Sequence, residues 1–97
     1  MRTFYSEYVQ HCMRFYSRHS DPEFRTEVDK LNWKACESAL KAFADKDREL
    51  LLEIYRRQET VAEGISNIAN AKSLDQNDLW KLVGDLERKV AKRRNLI

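Results

Sequence analysis

The tetrad Thr60-Val61-Ala62-Glu63 constrains the fold more than any other stretch of the chain. It matches a capping box, in which a Thr hydroxyl and a Glu carboxylate three residues on each satisfy a backbone donor left open at a helix start. A helix is predicted to begin there. Val61, Ile65, Ile68 and Ala69 then recur at helical spacing and share one face. After a short break holding Leu74, Asp75 offers a second cap, and Leu79, Leu82, Val83, Leu86 and Val90 form the apolar stripe of another helix. Two amphipathic helices separated by a few residues make a helix-turn-helix, and the second one ends in Arg88, Lys89, Lys92, Arg93 and Arg94.

The residues ahead of this pair also read as helices, because only two Gly and one Pro interrupt 97 residues. Thr3 is the expected cap of a first helix running to about Arg18, with Phe4, Tyr5, Tyr8, Val9, Cys12, Phe15 and Tyr16 as a broad aromatic band. The band is a packing surface, either over the domain's own core or, in part, as a homodimer contact. His19-Ser20-Asp21-Pro22 breaks the chain and starts a second helix. That helix is expected to reach Phe43 with two apolar faces: Phe24, Val28, Leu31, Ala35 and Ala39 on one, Trp33, Cys36, Leu40 and Phe43 on the other. Such a helix lies as a spine between two partners; a break near Asn32 is the alternative. Asp45 is the expected cap of a third helix reaching about Arg57, with Leu50, Leu51, Ile54 and Tyr55 buried. The fold expected is all-α, a single domain over residues 1–97 of about five helices with a C-terminal helix-turn-helix. Residues 1–44 form a helical support or dimerisation part and residues 45–97 the helix-turn-helix part.

Charge is informative only once divided along the chain. The net value of +2 combines seven basic and six acidic groups in residues 1–44, six and ten in residues 45–87, and five and none in residues 88–97. A concentrated basic end directs a weakly charged protein toward phosphate, while the acidic middle limits the affinity of one copy. No apolar run approaches the ~20 residues of a membrane span, and no apolar block of a signal peptide occurs. The expected location is the cytoplasm, without membrane association. Cys12 and Cys36 are too few for a disulfide framework, and with His11 and His19 they match no zinc spacing. No metal or cofactor is expected. Gly-rich phosphate loops, nucleophile elbows and metalloprotease His-Glu pairs are missing, so the chain does not read as an enzyme.

Residues 35–97 resemble the region 4 domain of sigma-70-type factors and the small region 4-like regulators of phages and integrative elements of Gram-positive bacteria. The polar cap and Leu-rich helix Asp45-Lys46-Asp47-Arg48-Glu49-Leu50-Leu51-Leu52-Glu53-Ile54-Tyr55 precede the helix-turn-helix as they do in that family. The family's small helix-facing residue falls on Ala69, its buried turn residue on Leu74, and its buried recognition-helix positions on Leu79 and Leu82. Its turn glycine falls on Ser73 and a late apolar position on Lys72. Ser73 predicts a slightly different turn, since Ser tolerates positive φ less well than Gly.

The resemblance implies a transcriptional regulator that binds double-stranded DNA, with RNA polymerase as a second partner. Gln76, Asn77 and Lys81 are then the base-contacting candidates, because side-chain amides pair with adenine and a Lys reaches guanine or phosphate. Lys72, Ser73, Arg88, Lys89, Lys92 and Arg93 are the backbone-contacting ones. Asp75 and Asp78 at the tip oppose phosphate and read as caps, and Trp80 reads as core. The rival readings are a helical protein-interaction module without DNA contact, favoured by the acidic middle, and RNA binding through the basic tail.

Overall fold

In the computed structural model, residues 4–20 and 22–97 are described. Among them the chain forms five α-helices and no strand. These are α1 (Ser6–Arg18), α2 (Glu27–Leu40), α3 (Asp45–Arg56), α4 (Val61–Lys72) and α5 (Gln76–Arg93). The all-α class read from the sequence is the observed one.

Three helix starts differ from expectation, and only that of α2 falls behind a residue whose side chain caps it. Thr3 and Asp21 lie outside the described residues; α1 begins at Ser6 behind Tyr5, which makes no side-chain cap bond. Pro22 does not open α2. The extended residue Thr26 does, its hydroxyl accepting the Asp29 N–H at 3.1 Å, and α2 then continues through Asn32 without a break. It stops at Leu40 rather than Phe43, because Ala42 and Phe43 donate to Ala39 and Leu40 in tightened i→i+3 bonds. Asp45 is not the cap of α3 either. Ala44 holds that position, and Asp45, already helical, turns its carboxylate to Arg48.

All five helices contribute to one buried cluster, which includes Val9 and Met13 of α1, Cys36 and Leu40 of α2, Leu51 and Ile54 of α3, Ile65 of α4 and Leu86 of α5. Helix α2 packs against α1 and α5, as a two-faced spine should, and α1 also crosses α3 and α5. The radius of gyration of 12.9 Å matches the about 12.5 Å of a compact chain of this length.

One face of the spine is not covered. Ala35 and Ala39 are buried, but Phe24, Val28 and Leu31, expected beside them, are 38%, 50% and 41% exposed. The first turns of α2 extend past the helices that cover its second half, so the stripe continues in sequence without a neighbour to pack on. Phe24, outside the helix, instead sets its ring edge-on to Trp33, which also meets Phe15 and Tyr16 of α1. The cysteines are free and buried; burial pushes the thiol of Cys12 up to about 11 and that of Cys36 up to about 12.

Candidate nucleic-acid interface

The start of α4 is closed by the predicted capping box: Thr60 Oγ1 accepts the Glu63 N–H at 3.1 Å, and Glu63 Oε1 accepts the Thr60 N–H at 3.3 Å. Its end is a left-handed cap. Ser73 adopts φ 55 and ψ 45, the conformation a glycine would take, and the Leu74 N–H returns to the Ala69 carbonyl at 2.9 Å. The expectation of a different turn at Ser73 is thus overturned. The backbone hydrogen bond and the packing of Leu74 against the core hold Ser in a region it enters at a cost. Asp75 then caps α5, accepting the Asn77 N–H at 2.8 Å, and the Gln76 amide reaches Ser66 Oγ of α4 at 3.5 Å.

The two helices are therefore joined by residues 73–75, with Lys72, Ser73, Gln76 and Asn77 all exposed around the turn. Lys72 Nζ lies 3.8 Å from Glu53 of α3. Along α5, Leu79, Val83, Leu86 and Val90 are buried. At ~100° per residue, Asn77, Lys81, Arg88 and Lys92 fall within about 60° of one another on the opposite side, and all are exposed. This sector is a polar stripe in which, among the described residues, Arg88 pairs with Asp85 at 3.0 Å.

Two of the basic candidates are turned elsewhere. Lys89 is half-buried with its ammonium 5.9 Å from the centre of the Phe43 ring, and Arg93 donates to Ser38 Oγ of α2 at 2.9 Å and to the Lys89 carbonyl at 3.1 Å. Arg94 likewise donates to Asn32 of α2 at 2.6 Å. The basic tail thus splits: Arg88 and Lys92 face outward with Asn77 and Lys81, while Lys89, Arg93 and Arg94 tie α5 to α2 and its following turn.

Trp80 is not core. It is 44% exposed and walls a groove of about 700 Å³ between α1, the start of α4 and the middle of α5. The reason is angular, since Trp80 stands at the edge of the buried stripe where α1 leaves a gap.

Further polar side chains join the helices. Arg14 of α1 donates to the carbonyls of Arg57 and Glu59 at 2.8 and 2.9 Å, and Arg18 adds a second bond to Arg57 at 2.8 Å. Both clamp the link that leads into α4. Glu87, only 7% exposed, accepts from Ser6 at 2.8 Å, Gln10 at 3.3 Å and the buried Tyr55 hydroxyl at 3.4 Å. Burial and the facing carboxylate push the Tyr55 phenol well above its usual range. The signal for Glu87 was in the sequence: its neighbours four residues before and three after are Val83 and Val90, so it lies at the margin of the apolar stripe. For Arg14 no local signal exists.

Among the described residues no cluster of three or more His, Cys, Asp or Glu side chains is placed to hold a metal ion, and no helix is long and apolar enough to cross a membrane. Fold and site together define an all-α protein with a helix-turn-helix pair and a polar outward stripe on its second helix. Comparison with protein-family models, curated proteins and solved structures finds no match to the chain.

Proposed function

We propose that this chain is a DNA-binding transcriptional regulator, similar to the sigma region 4-like factors of phages and mobile elements, that acts in the cytoplasm on double-stranded DNA. The observation that carries the reading is the stripe Asn77, Lys81, Arg88 and Lys92 on the outward face of α5, directly after a capped turn. A helix of 18 residues is about 27 Å long, enough for its first turns to enter a major groove about 12 Å wide while its last turns reach phosphate. Gln76, Asn77 and Lys81 then read bases, and Lys72, Ser73, Arg88 and Lys92 hold the backbone. Lys89 and Arg93 contribute charge at longer range. RNA polymerase is the second partner that the resemblance implies.

The test is a polarisation titration against a random duplex pool at two salt concentrations. Arg88→Glu with Lys92→Glu is expected to weaken binding to every duplex and to reduce the salt slope by about two. Gln76→Ala and Asn77→Ala should instead change sequence preference. Unaltered affinity in the charge-reversal variant sinks the phosphate role.

A second reading, protein association without DNA contact, is favoured by the uncovered face of α2 at Phe24, Val28 and Leu31. A homodimer contact through the N-terminal aromatic band stands beside it, since Val9 and Cys12 of that band are buried in the core while Phe4, Tyr8 and Phe15 stay exposed. Sedimentation over a range of concentrations separates monomer from dimer. Absence of duplex binding at low salt would favour the protein-module reading.

A further inference from the structure

We infer that Gly84 is where the backbone of α5 comes closest to the sugar–phosphate backbone of the duplex, a bare position over which the ridge of one strand passes between Trp80 and Arg88. The inference rests on the DNA reading above and adds a residue that neither sequence pattern nor charge singled out.

Glycine in a helix interior is unfavourable relative to alanine. The fold itself does not need this one. Neither glycine has a positive φ, and a Cβ built on Gly84 meets no atom within 4 Å. Gly64, by contrast, faces its own chain: a Cβ there would lie 3.6 Å from both Arg57 Cδ and the Ile54 carbonyl. The space above Gly84 is open to a partner.

Its position gives that space a chemical setting. Asn77, Lys81, Gly84, Arg88 and Lys92 recur at helical spacing along one side of α5. The glycine is thus a gap between two cations in the stripe that faces the DNA. It also lines the groove walled by Trp80, Val61, Ala62 and Arg88. Trp80 offers an indole N–H donor and an apolar face beside the gap, and Arg88 offers a guanidinium for phosphate. The carboxylate in the groove wall, Glu87, is held by Ser6, Gln10 and the fully buried Tyr55. A ridge settling on Gly84 approaches a backbone with no side chain, which brings Arg88 and Lys81 nearer to phosphate than a Cβ or longer group would allow.

The experiment compares Gly84→Ala and Gly84→Leu with the parent chain by thermal melting and by polarisation with a labelled duplex pool at two salt concentrations. Both variants are expected to melt no lower than the parent, because both residues favour helix. Duplex affinity should fall slightly for Ala and about tenfold for Leu, with a salt slope smaller by about one. If the parent binds and Gly84→Leu binds equally well, the inference is overturned while the DNA reading stands. If the parent does not bind duplex at low salt, both fall together. Should Gly84→Leu melt early, Gly84→Ala decides alone, and parental affinity with a parental slope overturns the inference.

Discussion

The guanidinium of Arg14, on the first helix, donates a 2.8 Å hydrogen bond to the backbone carbonyl of Arg57, which closes the third. Its second nitrogen reaches the Glu59 carbonyl, one residue before the Thr60 cap of α4. With Arg18, which bonds the same Arg57 carbonyl, Arg14 fixes where the helix-turn-helix departs from the rest of the bundle. Hydrogen bonds from a charged donor are worth about 1.5–3 kcal/mol each. Arg14→Met, which keeps an apolar stem, is expected to destabilise the protein by about 2 kcal/mol in urea unfolding, and to speed amide exchange at Glu63 and Gly64. Arg14→Lys should recover little of it, since an ammonium does not reproduce the two-pronged geometry. Full stability in Arg14→Met would mean that the α3–α4 link is held by other contacts.

Ser73 sits at φ 55, where a side chain is penalised and glycine is not. Ser73→Gly is expected to raise stability by about 0.5–1 kcal/mol, the smaller gain reflecting glycine's greater freedom in the unfolded chain. Ser73→Val should lower it by about 1–2 kcal/mol, because a β-branched residue is worse than Ser in this region. Thermal melting of the three proteins gives the order Gly, Ser, Val from most to least stable, and any other order would contradict the left-handed cap.

Glu87 joins α5 to α1 and α3 through Ser6, Gln10 and Tyr55. Glu87→Ala removes the acceptor of the Ser6 and Tyr55 hydroxyls, while Gln10 keeps its bond to Ser6 Oγ, and removing one partner of a buried hydrogen bond costs about 1–3 kcal/mol. Glu87→Gln keeps one acceptor oxygen and should lose less. Denaturation midpoints measure the difference, and equal midpoints for all three proteins would remove the network from the stability of the bundle.

The thiols carry an alkaline signature. Cys12 and Cys36 rise from 9.0 to about 11 and about 12, chiefly because burial disfavours the thiolate. A group whose proton is held more tightly in the folded than in the unfolded state stabilises the fold at pH values below the unfolded value. That stability is lost as pH rises from 9.0 toward the folded values. The melting temperature should therefore fall above pH 9.0, less steeply in Cys36→Ala than in the parent. Thiol reagents at neutral pH should react with the native protein only as it opens.

The elements themselves were legible in the residues. Thr60 and Glu63 mark the start of α4, Asp75 that of α5, and the 3.6-residue recurrence of apolar groups places Ile65, Leu79, Leu86 and Val90 in the core. These signals are local, since caps act within one turn and periodicity within one helix. The polar stripe Asn77, Lys81, Arg88 and Lys92 is legible for the same reason, as a face of a single helix. Boundaries were less legible: Thr26, whose hydroxyl caps α2, displaced Pro22, and Ala44 stands ahead of α3 without a side-chain cap while the Asp45 carboxylate pairs with Arg48.

The sequence by itself determined which segments are helical and which face of each is apolar, because those properties are set by neighbours within about one helical turn. Only the tertiary structure decided which faces find a partner. Val28 and Leu31 continue the stripe of Ala35 and Ala39, yet they stay exposed where the covering helices end. Lys89 and Arg93 share the basic tail with Arg88 and Lys92, yet they turn to Phe43 and Ser38 because α2 lies on their side. The docking of Arg14 on the Arg57 carbonyl joins residues 43 positions apart, and such a contact is fixed by how helices cross, which no periodicity records.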